Sequence, residues 1–162
     1  MKKVISIILA AAMLLCLVTA CSKDESGSDA DANVDLDAFY TSLAEKYEGY
    51  DNLVAIEGDF LESSYPGLAD IETAQFIAMA PMMSSVVNEI VLVECADAAD
   101  AGKVEEILKT RVTTQAEGGA WYPDSMEAWG KAQVVAHGAY VMMVARSAGT
   151  DEIVADFNAL FE

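Results

Sequence analysis

The chain is poor in the residues from which most catalytic and cofactor sites are built. It has one histidine, three cysteines and three prolines among 162 residues. A lone imidazole, His137, leaves nothing to assemble a His-rich metal centre around. No G-x-S-x-G, S-x-x-K or H-E-x-x-H occurs, nor a Gly-rich phosphate loop, nor cysteine pairs at zinc spacing. Positive charge is scarce too, with nine Lys and Arg against 27 Asp and Glu. Such an excess of carboxylates repels phosphate backbones and anionic lipid, which argues against nucleic-acid binding and polybasic membrane docking. The one sustained apolar run, near the N-terminus, is about 15 residues long, short of the roughly 20 that cross a hydrocarbon core.

That run has a second meaning. Lys2 and Lys3 precede it, it extends from Val4 to Val18, and Leu17-Val18-Thr19-Ala20-Cys21 closes it. A basic start, an apolar middle and small residues before a cysteine make a secretory signal ending in a lipobox. Residues 1–20 are then a signal peptide and Cys21 is the site of lipid attachment. More than one acyl chain on that cysteine holds a protein firmly to a bilayer. The expected location is the outer face of the cytoplasmic membrane, with the lipid bilayer as first partner. Loss of Lys2 and Lys3 leaves seven basic against 27 acidic residues, a net charge of −20. Cys16 leaves with the signal and Cys21 is consumed by lipid, so Cys95 has no disulfide partner and reads as a small buried hydrophobe.

Residues 21–33 are Ser, Asp, Gly, Ala, Lys, Glu and Asn after the cysteine, with nothing to bury, and read as a disordered acidic tether. Residues 34–162 form a single domain. Leu36, Phe39, Tyr40, Leu43 and Tyr47 recur at helical spacing to about Tyr50, behind Asp35 and Asp37. The stretch 51–70 is irregular, with a helical turn around residues 59–63. Two strands follow, 74–79 and 86–95, joined by a loop at 81–85. A helix over 103–115 precedes an aromatic turn at 121–124 and a short helix at 125–129. A hairpin (132–136 with 140–145) and a helix capped by Thr150 complete the chain. The order α-β-β-α-β-β-α predicts an α+β fold, one antiparallel sheet of about four strands with helices packed on it.

One helix breaks its own pattern. The stripe Val104, Ile107, Leu108, Arg111, Val112, Gln115 follows the i, i+3, i+4, i+7 series, yet two of its places are polar. An unpaired buried charge costs several kcal/mol or more, so Arg111 requires a carboxylate or a set of carbonyls. Glu89, at the start of the apolar strand, and Asp124, past the aromatic turn, are the candidates. Two readings follow: a structural clamp of helix to sheet, or a site where Arg111 meets a ligand carboxylate or phosphate beside Tyr122 or Trp121. Thioethers at Met79, Met82, Met83, Met142 and Met143 suit Cu(I) in principle but serve equally as core filler, and no cofactor is expected.

The lipobox, Pro81-Met82-Met83 followed by Glu89-Ile90, Arg111 with Gln115, Tyr122-Pro123, and Gly138-Ala139-Tyr140-Val141 occur in an order that resembles a family of Gram-positive bacterial lipoproteins, domain of unknown function 4358. The resemblance implies a cell-surface lipoprotein and carries no activity, substrate or catalytic residue with it. The expected role is therefore a non-catalytic binding or interaction module for a protein or small anionic ligand. It is centred on Arg111, Gln115, Tyr122 and Glu89. The alternatives are a small hydrolase using Ser84 or Ser85 with His137, and a structural subunit of an envelope complex.

Overall fold

The computed structural model describes residues 33–162. The signal segment, Cys21 and all of the tether except Asn33 lie outside the described residues. Helix α1 (Leu36–Lys46) starts where Asp35 caps it, its carboxylate accepting from the Ala38 amide at 2.9 Å. It ends sooner than its stripe suggests, because the chain turns at Gly49 to send Tyr50 into the core. Strand β1 (Leu53–Ala55) and helix α2 (Gly58–Ser64) follow. Next come the long strands β2 (Thr73–Pro81) and β3 (Asn88–Cys95), then helix α3 (Ala101–Thr114). Helix α4 (Pro123–Trp129), the hairpin β4 (Gln133–His137) and β5 (Tyr140–Arg146), and α5 (Thr150–Asn158) complete the fold. Thr150 is the first residue of α5 and not its cap. Gly149 occupies the cap position and supplies no side-chain bond.

The sheet is antiparallel throughout, in the order β1-β2-β3-β5-β4. It has a fifth strand beyond the four evident in the sequence. Strand β1 is three residues long and pairs only with β2, and two of its residues are exposed, so it shows no alternation to read. The expected α+β arrangement of helices on one antiparallel sheet is otherwise present.

The central strands β3 and β5 are buried on both faces, and helices cover each side. On one face α1 and α5 bring Leu36, Phe39, Leu43, Ile153 and Phe157 against Ile90, Leu92, Met142 and Val144. On the other, α3 and α4 bring Val104, Leu108, Ala128 and Trp129 against Val91, Val93, Met143 and Ala145. Full burial of one such aliphatic side chain is worth roughly 1.5–3 kcal/mol, so these two layers supply most of the driving force. Met142 and Met143 point into opposite layers, while Met82 and Met83 are exposed on the β2–β3 loop, so these thioethers do not converge on one site. Cys95 is buried, as its position in an apolar strand suggested, and burial pushes its thiol pKa up, away from reactivity.

The two ends of the sheet differ. At one end, where Glu94 lies opposite Tyr140, the start of the domain is tied down. Gln75 donates to the Val34 carbonyl (2.7 Å) and the Glu94 carboxylate (2.5 Å), and accepts from the Leu36 amide (2.9 Å). The Tyr140 hydroxyl donates to Glu94 and accepts from the Val34 amide. At the other end, Asn88 lies opposite Arg146. Six residue steps along β3 separate the two, about 20 Å at 3.3 Å per step.

Gln75→Ala removes the two bonds that hold Val34 and Leu36, together with the one to Glu94. The expected result is a loss of about 1–3 kcal/mol in urea unfolding and faster hydrogen exchange at the Leu36 amide. Unchanged protection there rules out the tie.

Candidate functional site

Arg111 leaves α3 at the place in its stripe where the sheet presents Glu89 instead of an apolar side chain. Its Nε and Nη2 donate to the two carboxylate oxygens of Glu89, each at 3.0 Å, a two-pronged pairing. Both side chains are largely buried, 15% exposed for Arg111 and 6% for Glu89. The Tyr65 hydroxyl also donates to Glu89. The guanidinium lies over the rings of Trp129 at 5.2 Å and Tyr65 at 5.6 Å. Burial opposes the guanidinium's charge, but the adjoining carboxylate outweighs it and raises the Arg111 pKa above its ordinary value. Burial, and then the charge of Glu89, push the Tyr65 phenol well above its usual range. Of the two sequence candidates for Arg111's partner, Glu89 takes the role. Asp124 is exposed and in no ion pair.

Glu89, Arg111 and Trp129 of this cluster line a cleft of about 630 Å³ at the Asn88–Arg146 end of the sheet. The volume lies within the roughly 300–1,000 Å³ typical of ligand sites. Glu89, Arg111, Gln115 and Tyr122, the four residues on which the expected binding or clamp role was centred, all line it. A second concavity of about 570 Å³ is lined by α3 and the end of α2 and shares Arg111 and Gln115.

One wall is formed by an unusual turn. After Thr114 the chain runs through a π-helical turn, Gln115–Gly119, instead of stopping. Gly118 has φ 135, where side chains are rarely tolerated. A Cβ on Gly119 would fall 2.8 Å from both the Thr114 backbone carbonyl oxygen and the Gln115 side-chain Nε2. The turn delivers Trp121 at φ 63 and 88% exposed, followed by Tyr122 at 54%. A bulky residue in that region of φ stores strain on the order of 1–3 kcal/mol, and such outliers gather at functional sites. Pro123 then starts α4, whose buried Ser125 donates to the Ser85 carbonyl and ties this wall to the β2–β3 loop.

The opposite rim carries Met82, Met83 and Val86, with Phe60 beside them, all exposed. Eight large apolar residues are exposed among the described residues, and six of them line this one cleft. Scattered apolar residues on a surface are ordinary, whereas a concentration of them around a concavity marks an interaction site. Trp129 and Phe60 were not evident from the sequence as parts of it, nor Tyr65 as a partner of Glu89. Tyr65 and Phe60 fall in the stretch 51–70, and Trp129 ends a short helix at 125–129 that shows no stripe.

Ser84 and Ser85 do not meet His137. The serines sit on the loop at the cleft end of the sheet, whereas His137 pairs across to Tyr140 at the far end, about 20 Å away by strand register. There the His137 ring stacks on Phe161 at 4.4 Å and its Nε2 contacts Asn158 Oδ1 at 2.9 Å. Without that base within reach, the proposed nucleophile pair does not form. Among the described residues no group of three or more His, Cys, Asp or Glu is placed to hold a metal ion.

Arg111→Met strands the Glu89 carboxylate in a buried position. The expected cost is about 3–5 kcal/mol in chemical denaturation. Combining it with Glu89→Leu and Tyr65→Phe removes all three polar groups together and should recover most of the loss. If the triple variant is no more stable than the single one, the cluster is not a coupled unit. The pH dependence has a definite sign. A Tyr65 phenol that holds its proton more tightly when folded contributes stability that is complete below the unfolded value of about 10 and is lost as pH rises beyond it. Unfolding midpoints measured from pH 8 to 12 should fall, and Tyr65→Phe should flatten the fall.

No curated protein and no solved structure matches the chain. A family model described as Domain of unknown function (DUF4358) matches residues 45–146, a span that runs from the end of α1 to the end of β5 and contains the whole cleft. The chain belongs to that family.

Proposed function

We propose that this chain is an extracytoplasmic lipoprotein, held on the outer face of the cytoplasmic membrane through acylated Cys21, and that its domain is a non-catalytic recognition module working through the Arg111–Glu89 cleft. The observation that carries the reading is the gathering of exposed Trp121, Tyr122, Met82, Met83, Val86 and Phe60 around one concavity. Aromatic residues and methionine are the side chains enriched at protein interfaces, and Trp and Tyr supply most hot spots. The position of the cleft supports it as well. Val34, where the tether would enter the domain, is tied at the Glu94–Tyr140 end, and the cleft opens at the opposite end of the sheet. An anchor on the tether side therefore leaves the cleft free to meet something other than the protein's own bilayer. No helix among the described residues is long and apolar enough to cross a membrane.

A small anionic ligand is the weaker partner for this site. The fork of Arg111 already holds Glu89, so an incoming carboxylate has to displace a buried one and leave it uncompensated. A protein partner, which needs apolar area and not a free cation, fits the rim better.

Two measurements test the proposal. Metabolic labelling with an alkyne fatty acid should mark the wild-type protein and not Cys21→Ser; labelling that survives the substitution removes the anchor. A photo-crosslinking residue at position 83 in the membrane-bound protein should trap a discrete protein adduct, lost with Trp121→Ala while the unfolding midpoint stays unchanged. An adduct indifferent to Trp121→Ala removes the cleft.

A further inference from the structure

Resting on the reading of the cleft as a protein-recognition site, we infer that its partner is a positively charged segment, an apolar or aromatic side chain flanked by Lys or Arg, and not an acidic segment, an anionic surface or a second copy of this chain.

The inference comes from where charge is and is not neutralised. Lys46, Lys103, Lys109 and Lys131 each pair with a carboxylate of Asp156, Asp100, Glu105 and Glu127. Arg111 is held by Glu89, and Arg146 lies over Tyr47 and Tyr50 with its Nη2 on the Glu48 carbonyl. Every cation among the described residues is thus engaged within the domain. Glu89 and Glu127 are the carboxylates near the cleft that share in those pairs, and four others do not. Asp59, Glu62, Glu117 and Asp124 each lie within two residues of a lining residue, all four are exposed, and none is in an ion pair. Lys109 and Lys131, the cations equally close in sequence, are spent on Glu105 and Glu127, each four residues before them.

The cleft thus has an apolar mouth, flanking segments that carry unpaired carboxylates, and an ion pair in its lining whose two charges cancel. An entering apolar side chain gains burial against Met82, Met83 and Trp121, and flanking cations reach those carboxylates or the exposed faces of Trp121 and Tyr122. Methionine suits this use because its unbranched thioether adapts to different apolar shapes. Self-association through the cleft sets two such groups of carboxylates against each other in a chain of net charge −18, and an anionic bilayer meets the same repulsion.

A matched pair of synthetic peptides tests this. Both carry the same central Leu-Phe-Leu, one flanked by three Lys on each side and the other by three Glu, each with a fluorescein label. Anisotropy is measured against the folded domain at low and at physiological salt. The Lys peptide should bind at least tenfold tighter than the Glu peptide. Trp121→Ala should weaken the Lys peptide about tenfold or more, and Asp59→Asn with Asp124→Asn should weaken it and reduce its salt dependence. A peptide of six Lys around Gly-Ser-Gly separates cleft binding from general attraction to an acidic protein, and should bind much more weakly. Equal binding of the Lys and Glu peptides, or of the Leu-Phe-Leu and Gly-Ser-Gly peptides, overturns the inference. Such a result leaves the crosslinking at position 83 to decide separately whether the cleft recognises a protein at all.

Discussion

Removing Arg111 and Glu89 from water is the constraint to which the rest of the molecule answers. Neither charge is tolerable alone at its depth, so the pairing dictates how α3 lies across β3: the helix has to arrive with its third turn over the first residues of the strand. The apolar places before Arg111 on the same stripe, Val104 and Leu108, then fall over Val91, Val93 and Met143. The pair need not add net stability relative to a well-packed apolar substitute. What it adds is register, because a shift of one helical turn separates two buried charges. The surface pairs on α3 and α4 impose no such condition, since water solvates their members in any position.

Burial on both faces gives the sheet two ends and no free side. With α1 and α5 on one face and α3 and α4 on the other, only the strand ends and edges remain to meet solvent or a partner. The polar tie of Gln75, Glu94 and Tyr140 to the chain's entry occupies one end. At the other, the β2–β3 loop and the π-helical turn leave a gap with the ion pair in its lining. Division of labour between the ends follows from the layering, because no other surface of the central strands is uncovered.

The long elements were legible because their patterns have one interpretation. The run from Glu89 to Cys95 alternates so as to leave one face apolar beyond Glu89, and that face packs under α3. The helical stripe containing Arg111 named the residue that had to find an acid, and chain position narrowed the acid to Glu89 or Asp124. Choosing between those two requires knowing which end of β3 the helix reaches, and that is tertiary information. Strand β1 was silent because three residues with two exposed carry no period. Tyr65 and Phe60 were silent for a related reason: one follows and the other sits in a helix of seven residues, too short for spacing to say which way either faces. The pairing of Ser84 or Ser85 with His137 failed because a list of reactive residue types contains no distances, and the strand register supplies one.

Strain and exposure coincide at Trp121, and folding alone does not call for either. A glycine at that position would relieve the backbone, and a polar residue would suit the solvent. The wall that presents Trp121 is nevertheless fixed from several sides. Gly119 admits no side chain against Thr114 and Gln115, the Ala120 amide donates to the Gln115 carbonyl, and Ser125 reaches across to the β2–β3 loop. A turn held this firmly around an unfavourable residue is more economically explained by what the residue meets than by what the fold requires. Because the opposite rim is also apolar and also exposed, the same reasoning applies to both sides of the gap. The two rims make physical sense together, as the sides of a site closed by a partner.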